Sequence, residues 1–224
     1  MTDGTVSLPL FPLPGVVLLP ETLLPLHVFE PRYREMLADA LLGSRRIGMQ
    51  TIDPEAPAGS ADQPRLLPLG CAGRIVEHEP LEDGRSNIVL RGEYRYRIEE
   101  ELPAGRAYRV ARVRPLPVSP LPEGPPPRPG RRELRRLLAR EIERLALSVG
   151  RPAAARLPTS LGDEGLVNEA ACRLGLSPDE KYELLAMDRL DERYGRVREH
   201  VRGLQRRLDF LAPYRREGVD PSRN

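Results

Sequence analysis

Residues Leu8–Tyr33 read LPLFPLPGVVLLPETLLPLHVFEPRY, and the way this stretch folds decides the rest of the chain. Before Glu30 its one carboxylate is Glu21, and five prolines interrupt an otherwise aliphatic run. A helix is excluded, because each proline lacks an N–H and drives the residue before it out of the helical region. A membrane span is excluded as well, since no uninterrupted apolar run approaches about 18 residues. What remains is a series of short buried strands that turn at the prolines, predicted at Val6–Leu10, Val16–Leu19 and Leu23–Leu26. Pro31 then opens a helix, where its missing N–H costs nothing. His27, in this apolar setting, is predicted to be a hydrogen-bonded core histidine.

Outward from this stretch, Arg32–Leu42 sets Tyr33, Met36, Leu37, Ala40 and Leu41 on one helical face, with Gly43 as a left-handed cap. Arg46–Ile52 reads as a strand. Asp53–Pro68, rich in Pro, Ala, Gly and Ser, reads as a surface loop. Leu69–Leu81 is a strand whose glycines point to a bulge or a close backbone approach, and Asp83-Gly84 turns the chain. Asn87–Leu90 and Tyr94–Ile98 follow as strands. The second sends Tyr94, Tyr96 and Ile98 to one side and Arg95 and Arg97 to the other. Tyr108–Val113 repeats the pattern with Tyr108, Val110 and Arg112 on one face. Many short strands and one early helix make a small mixed β-barrel over residues 1–117.

The proline-rich segment within Pro115–Gly130 is an extended connector, with 118–130 as the linker proper. Beyond it, residues 131–213 carry four helical patterns. Arg131–Val149 has a stripe of Leu134, Leu137, Leu138, Ile142, Leu145 and Val149, ended by Gly150 and Pro152. Asp163–Leu174 turns Leu166, Val167, Ala170, Ala171 and Leu174 inward. Ser177-Pro178-Asp179-Glu180 is a capping box with proline at the first helical position, and Leu184, Leu185 and Tyr182 supply that helix's apolar side. The last helix alternates spacings of four and three from Leu190 through Tyr194, Val197, Val201, Leu204 and Leu208 to Leu211. Arg193, Arg196, Arg202 and Arg206 lie off that stripe, with Glu192 placed to pair with Arg196. Residues 214–224 are expected to be a flexible tail.

Composition narrows the chemistry. The 224 residues carry a net charge of +2, and aromatic residues make up only 4%, with no Trp to build a stacking platform for bases. A phosphate-cradling P-loop needs a Gly-Lys pair, but the one lysine, Lys181, follows Glu180 inside a capped helix. The same position removes a Ser-Lys hydrolytic pair. His27, His78 and His200 are dispersed, and Cys71 and Cys172 are far from a CxxC spacing, so no metal or other cofactor is expected. Cys71 reads as a buried strand residue. With neither a leader nor a membrane segment in the pattern, the expected location is cytoplasmic with reduced thiols.

The opening LPLFPLPGVVLLPETLLPLHVFEPRYREML, then RIGMQ, GCAGRIVEHEPLEDGRSNIVLRGEYRYRI and YRVARV, resembles the N-terminal substrate-binding domain of Lon-type proteases. Gly73, Arg74, Ile75, Asp83, Gly84, Gly92 and Arg95 stand at positions matching that family's motif. LVNEAACRLGLSPDEKYELLAMDRLDERYGRV resembles the family's later helical segment, so the likeness runs over roughly residues 7–211. The ATPase and Ser-Lys peptidase of the full-length enzymes have no counterpart in these residues, which suits a stand-alone member. The resemblance implies an α+β fold: a PUA-like mixed pseudo-β-barrel with one early helix, followed by a C-terminal bundle of about four helices. It also implies recognition of unfolded or degron-bearing polypeptides without catalysis, with a protease or chaperone as a further partner. Phe29, Tyr33, Tyr94 and Tyr96 are the candidate polypeptide-binding residues. Arg95 and Arg97 are the candidate anion contacts, and with the arginine side of the last helix they carry the alternative reading, an RNA- or nucleic-acid-binding PUA-like module. Interspersed acidic residues argue against nucleic acid as the partner.

Overall fold

The computed structural model describes residues 4–55, 64–103, 105–119, 131–148 and 161–211. The predicted tail 214–224 and nearly all of the linker 118–130 lie outside them. So do Val149, Gly150 and Pro152, and the side chains of Leu134, Leu145 and Leu211.

Alternating apolar residues and proline turns build β1 (Val6–Leu13) and β2 (Leu23–Val28), and Pro31 opens α1 (Pro31–Leu42) as its first helical residue. Then come β3 (Arg46–Ile52), β4 (Leu66–Pro80), β5 (Ser86–Glu101) and β6 (Val110–Leu116). The first half of β5 pairs with β2 and the second half with β6, while β4 pairs along its other edge from Ser86 to Arg97. Because β6 also pairs with β1, and β1 runs parallel to β3, the ring β1-β3-β4-β5-β6 closes into a mixed barrel with β2 as an added strand. The helices α2 (Arg131–Ser148), α3 (Asp163–Arg173), α4 (Pro178–Ala186) and α5 (Leu190–Leu211) follow. Among the described residues no helix is long and apolar enough to cross a membrane.

Two buried clusters organise the packing. Inside the barrel lie Leu8, Leu10, Ala72, Tyr96, Ala111 and Val113, with Tyr94 and Ile98 against them. The Tyr96 ring is accommodated by glycines: a Cβ on Gly48 would stand 2.6 Å from its oxygen, and one on Gly70 2.5 Å from its Cζ. Its hydroxyl donates to Gln50 Oε1 at 2.9 Å, which satisfies a polar group sealed from water. The larger cluster runs without a break from Phe11, Val28, Tyr33 and Met49 to Val167, Leu184, Tyr194 and Val201. Barrel and helices therefore share one core. Leu190, Tyr194, Val197 and Val201 of the α5 stripe are buried in it, and the Ser177–Glu180 capping box forms reciprocally at the start of α4.

Several local expectations need correction. Val16–Leu19 joins no sheet. Leu18 and Leu19 are buried, but the segment crosses β5 at Gly92 and is held by single bonds such as Thr51 Oγ1 to the Val16 carbonyl (2.8 Å). Gly43 has φ −106°, and Arg45, two residues later, takes the positive φ of 58°. Asn87–Leu90 and Tyr94–Ile98 are one strand, because a bulge rather than a turn separates them. In β6 the buried residues are Ala111 and Val113, one position out of phase with Val110 and Arg112. His27 is exposed on the solvent face of β2, where it meets Asn87 Oδ1 at 2.9 Å, while Leu24, Leu26 and Val28 turn toward the core.

The β5 bulge has an electrostatic use. Register passes from Tyr94↔Ala72 to Gly92↔Gly73, leaving Glu93 unpaired in the ladder. Arg46 and Arg74 stand opposite each other on β3 and β4, and each donates its Nε to Glu93 at 2.5 Å. One carboxylate thus relieves a like-charge cross-strand pair. Partial burial pushes the Glu93 pKa up, but the two arginine bonds outweigh it, and the net result lies below the ordinary 4.5. A carboxylate held low in the fold stabilises it above its unfolded pKa and loses that contribution as pH falls. Glu93→Gln is expected to cost about 1–3 kcal/mol at pH 7. Urea titrations should show the deficit shrinking below pH 4.5, and a deficit independent of pH would contradict this account.

Candidate functional site

Four separate parts of the chain end at one mouth of the barrel. The end of β1 brings Pro12, Leu13 and Pro14, and the start of α1 brings Glu30, Arg32 and Tyr33. Ile52 and Pro64 flank the β3–β4 connection, and the end of β5 and the chain before β6 bring Glu101, Leu102, Arg106, Tyr108 and Arg109. Together they line a pocket of about 450 Å³, within the range that holds small ligands or a few peptide side chains.

Tyr33 gives this pocket its character. It is 4% exposed, with its ring 4.3 Å from Phe11 between centroids and the Arg32 guanidinium 4.7 Å above it. Its hydroxyl makes no hydrogen bond with any described residue. Burial pushes the Tyr33 pKa up, with Arg32 and Arg109 opposing. Tyr108, across the pocket, is by contrast fully occupied: its hydroxyl donates to Asp39 Oδ2 at 2.6 Å and accepts from Arg106 Nη1 at 2.8 Å. Arg109 is also committed, to both oxygens of Glu101 and to the Pro64 carbonyl. Arg32 spends Nε and Nη2 on Glu30, and Arg106 spends Nη1 on Asp39 and Tyr108, so among the described residues Arg32 Nη1 and Arg106 Nε and Nη2 keep unspent N–H groups.

Beside the pocket in sequence, Phe29 is 57% exposed and stacks on His27 at 6.0 Å. It continues the solvent side of β2, where Leu23 is 62% exposed. Among the described residues β2 pairs only with β5, and Pro25 leaves that open edge one donor short, a device that limits uncontrolled strand pairing.

The structure separates the candidates proposed from sequence. Phe29 is on the surface and Tyr33 lines the pocket. Tyr96 is sealed inside the barrel and is a core residue, while half-buried Tyr94 packs against the same cluster. Arg97 is exposed. Arg95 is 1% exposed, because the α4–α5 connection covers its face of the sheet, and its guanidinium is spent on the Leu185 and Met187 carbonyls. The arginine side of α5 breaks up too. Arg193 is buried against Glu164 at 2.7 Å, where burial first and Arg95 second push its pKa down. Arg196 meets Glu183 rather than Glu192, which pairs with Arg189. Arg202 lies 3.6 Å from Glu141, and Arg206 is exposed. Cys71 is buried and its thiol pKa is pushed up by that burial, so it has no nucleophilic character. Sequence reading missed Arg32, Arg106, Tyr108 and Arg109, because Arg32 lies more than seventy residues from the other three and no periodicity links them.

Comparison with known proteins bears on this geometry. The family described as the ATP-dependent protease La (LON) substrate-binding domain matches residues 7–203. A Lon protease of Flavobacterium johnsoniae is 25% identical over 189 residues, covering 84% of this chain and 23% of that protein. The chain thus spans about a quarter of the length of that relative. Among solved structures, the N-terminal domain of a Mycobacterium avium complex Lon protease superposes with a TM-score of 0.61 at 18% identity, covering 88% of this chain and 98% of that one. A Lon N-terminal domain protein from Xanthomonas campestris gives 0.55 at 27% identity, covering 86% and 96%.

Proposed function

The chain belongs to the LON substrate-binding domain family, and on that premise we propose that it is a polypeptide-recognition module with no catalysis of its own. The observation that carries this reading is the Tyr33 pocket: apolar and proline walls around a hydroxyl that makes no hydrogen bond with any described residue, with exposed Phe29 beside it in the chain. Unfolded segments offer apolar side chains and free backbone groups, and such a surface complements both. The partners are unfolded or degron-bearing polypeptides in the cytoplasm, handed on to a protease or chaperone. Barrel (1–117) and bundle (131–213) act as one body in this reading, with the bundle as support.

Fluorescence anisotropy with labelled, permanently unfolded polypeptides tests the proposal. Phe29→Ser is expected to weaken binding about tenfold, the cost of removing one large apolar contact. Leu42→Ser, 90% exposed at the far end of α1, should leave affinity unchanged. Equal loss in both variants, or no binding of any unfolded polypeptide by the parent protein, would overturn it.

A further inference from the structure

The pocket's hydrogen-bonding groups are unbalanced. The Tyr33 hydroxyl and several N–H groups of Arg32 and Arg106 make no hydrogen bond with any described residue. Both oxygens of Glu101 are already taken by Arg109, and Glu30 is held by Arg32. Each guanidinium is paired with one carboxylate, Arg32 with Glu30, Arg106 with Asp39 and Arg109 with Glu101, so charge is balanced and the unmet capacity is that of N–H and O–H donors, which call for an acceptor. The walls offered by Leu13, Ile52 and Leu102 demand an apolar group next to that acceptor.

We infer that the pocket takes a peptide carboxylate presented beside an apolar side chain, with Tyr33 Oη and the free N–H groups of Arg32 and Arg106 as its donors. This rests on the polypeptide-binding reading and specifies which peptides are preferred. The carboxylate belongs either to a chain terminus or to an acidic side chain, and the chemistry at the pocket is the same for both.

Three labelled peptides of one apolar sequence distinguish the cases by anisotropy: one with a free C-terminus, one amidated, and one amidated with an internal Glu. The free acid is expected to bind about tenfold more tightly than the plain amide, with the advantage shrinking as salt rises. Tyr33→Phe keeps the ring on Phe11 and should erase most of that advantage while leaving the amide's affinity in place. Arg106→Gln, at an exposed position, should act in the same direction, and an unchanged thermal transition in either variant confirms that the fold is intact. Tight binding of the internal-Glu peptide assigns the carboxylate to side chains, and its failure beside a tight free acid assigns it to chain ends. Equal affinity for all three peptides would overturn the inference while the polypeptide reading stands. No binding by any of the three would overturn both.

Discussion

Arg95→Ala is expected to lower the stability of the fold by about 3–5 kcal/mol, read as a fall in the urea midpoint at constant m-value. The side chain leaves β5 on the face opposite Tyr96 and is almost wholly buried. Its Nη1 donates to the carbonyls of Leu185 (2.8 Å) and Met187 (3.1 Å), and its Nη2 to the Pro117 carbonyl (2.7 Å) and Asp188 Oδ1 (3.0 Å). One guanidinium therefore ties the exit of β6 to the connection between α4 and α5. Truncation leaves two or three buried carbonyls without a donor, each costing about 1–3 kcal/mol, and opens a void between sheet and helices. Met187 O would still receive Arg193, so its loss is partial. Asp188 is mostly exposed, so Asp188→Ala should cost under about 1 kcal/mol; the stabilisation lies in the carbonyls rather than the ion pair. Arg95→Lys should recover little, since one ammonium does not reproduce a planar fork. An Arg95→Ala cost no larger than that of Asp188→Ala would show that water replaces the guanidinium.

Arg95 also marks how far the sequence is legible. The alternation of Tyr94, Tyr96 and Ile98 against Arg95 and Arg97 correctly divides two faces, because the strand period is a local property. What covers each face is a tertiary property, and an arginine opposite a barrel-lining tyrosine reads as solvated until the α4–α5 connection is laid over it. His27 fails in the reverse sense. Its neighbours are apolar, but β2 is an added strand with one face in water. The Ser177–Glu180 box is read correctly because all its partners lie within four residues. Val16–Leu19 is read correctly as buried and wrongly as a strand, since burial follows from composition while ladder pairing depends on a distant neighbour. The Tyr33 pocket is assembled from ends of separate elements, and only Tyr33 had a signal in the chain, through its place on the apolar side of α1.

That crossing of Val16–Leu19 over β5 yields the second large effect. Gly92→Ala adds one methyl group and is expected to destabilise the protein by about 3 kcal/mol or more, at the upper end of overpacking costs. Nothing in its φ requires glycine, so the requirement is for space. A Cβ there would run into the Leu19 carbonyl, with Leu19 C at 2.9 Å and Pro20 Cα at 3.0 Å, and main chain cannot swing aside as a side-chain tip can. The two strands of chain are also bonded at this point: Gly92 N–H donates to the Thr22 carbonyl at 3.0 Å, and Glu21 N–H to the Gly92 carbonyl at 2.8 Å. Pushing them apart breaks these bonds, disturbs buried Leu18 and Leu19, and strains the Asn168 Nδ2 bond to the Pro20 carbonyl (3.0 Å) that anchors the opening stretch to α3. Gly195→Ala is the matched control. Its Cβ meets no atom within 4 Å on the outside of α5, and replacing a helical glycine by alanine should stabilise by about 0.5–1 kcal/mol. The same chemical change thus carries opposite signs at two positions, and thermal or urea unfolding of the pair separates close backbone approach from helix propensity. A Gly92→Ala protein as stable as its parent would mean that the Leu19–Pro20 crossing yields at little cost, and the opening stretch would then pack more loosely on β5 than its buried leucines indicate.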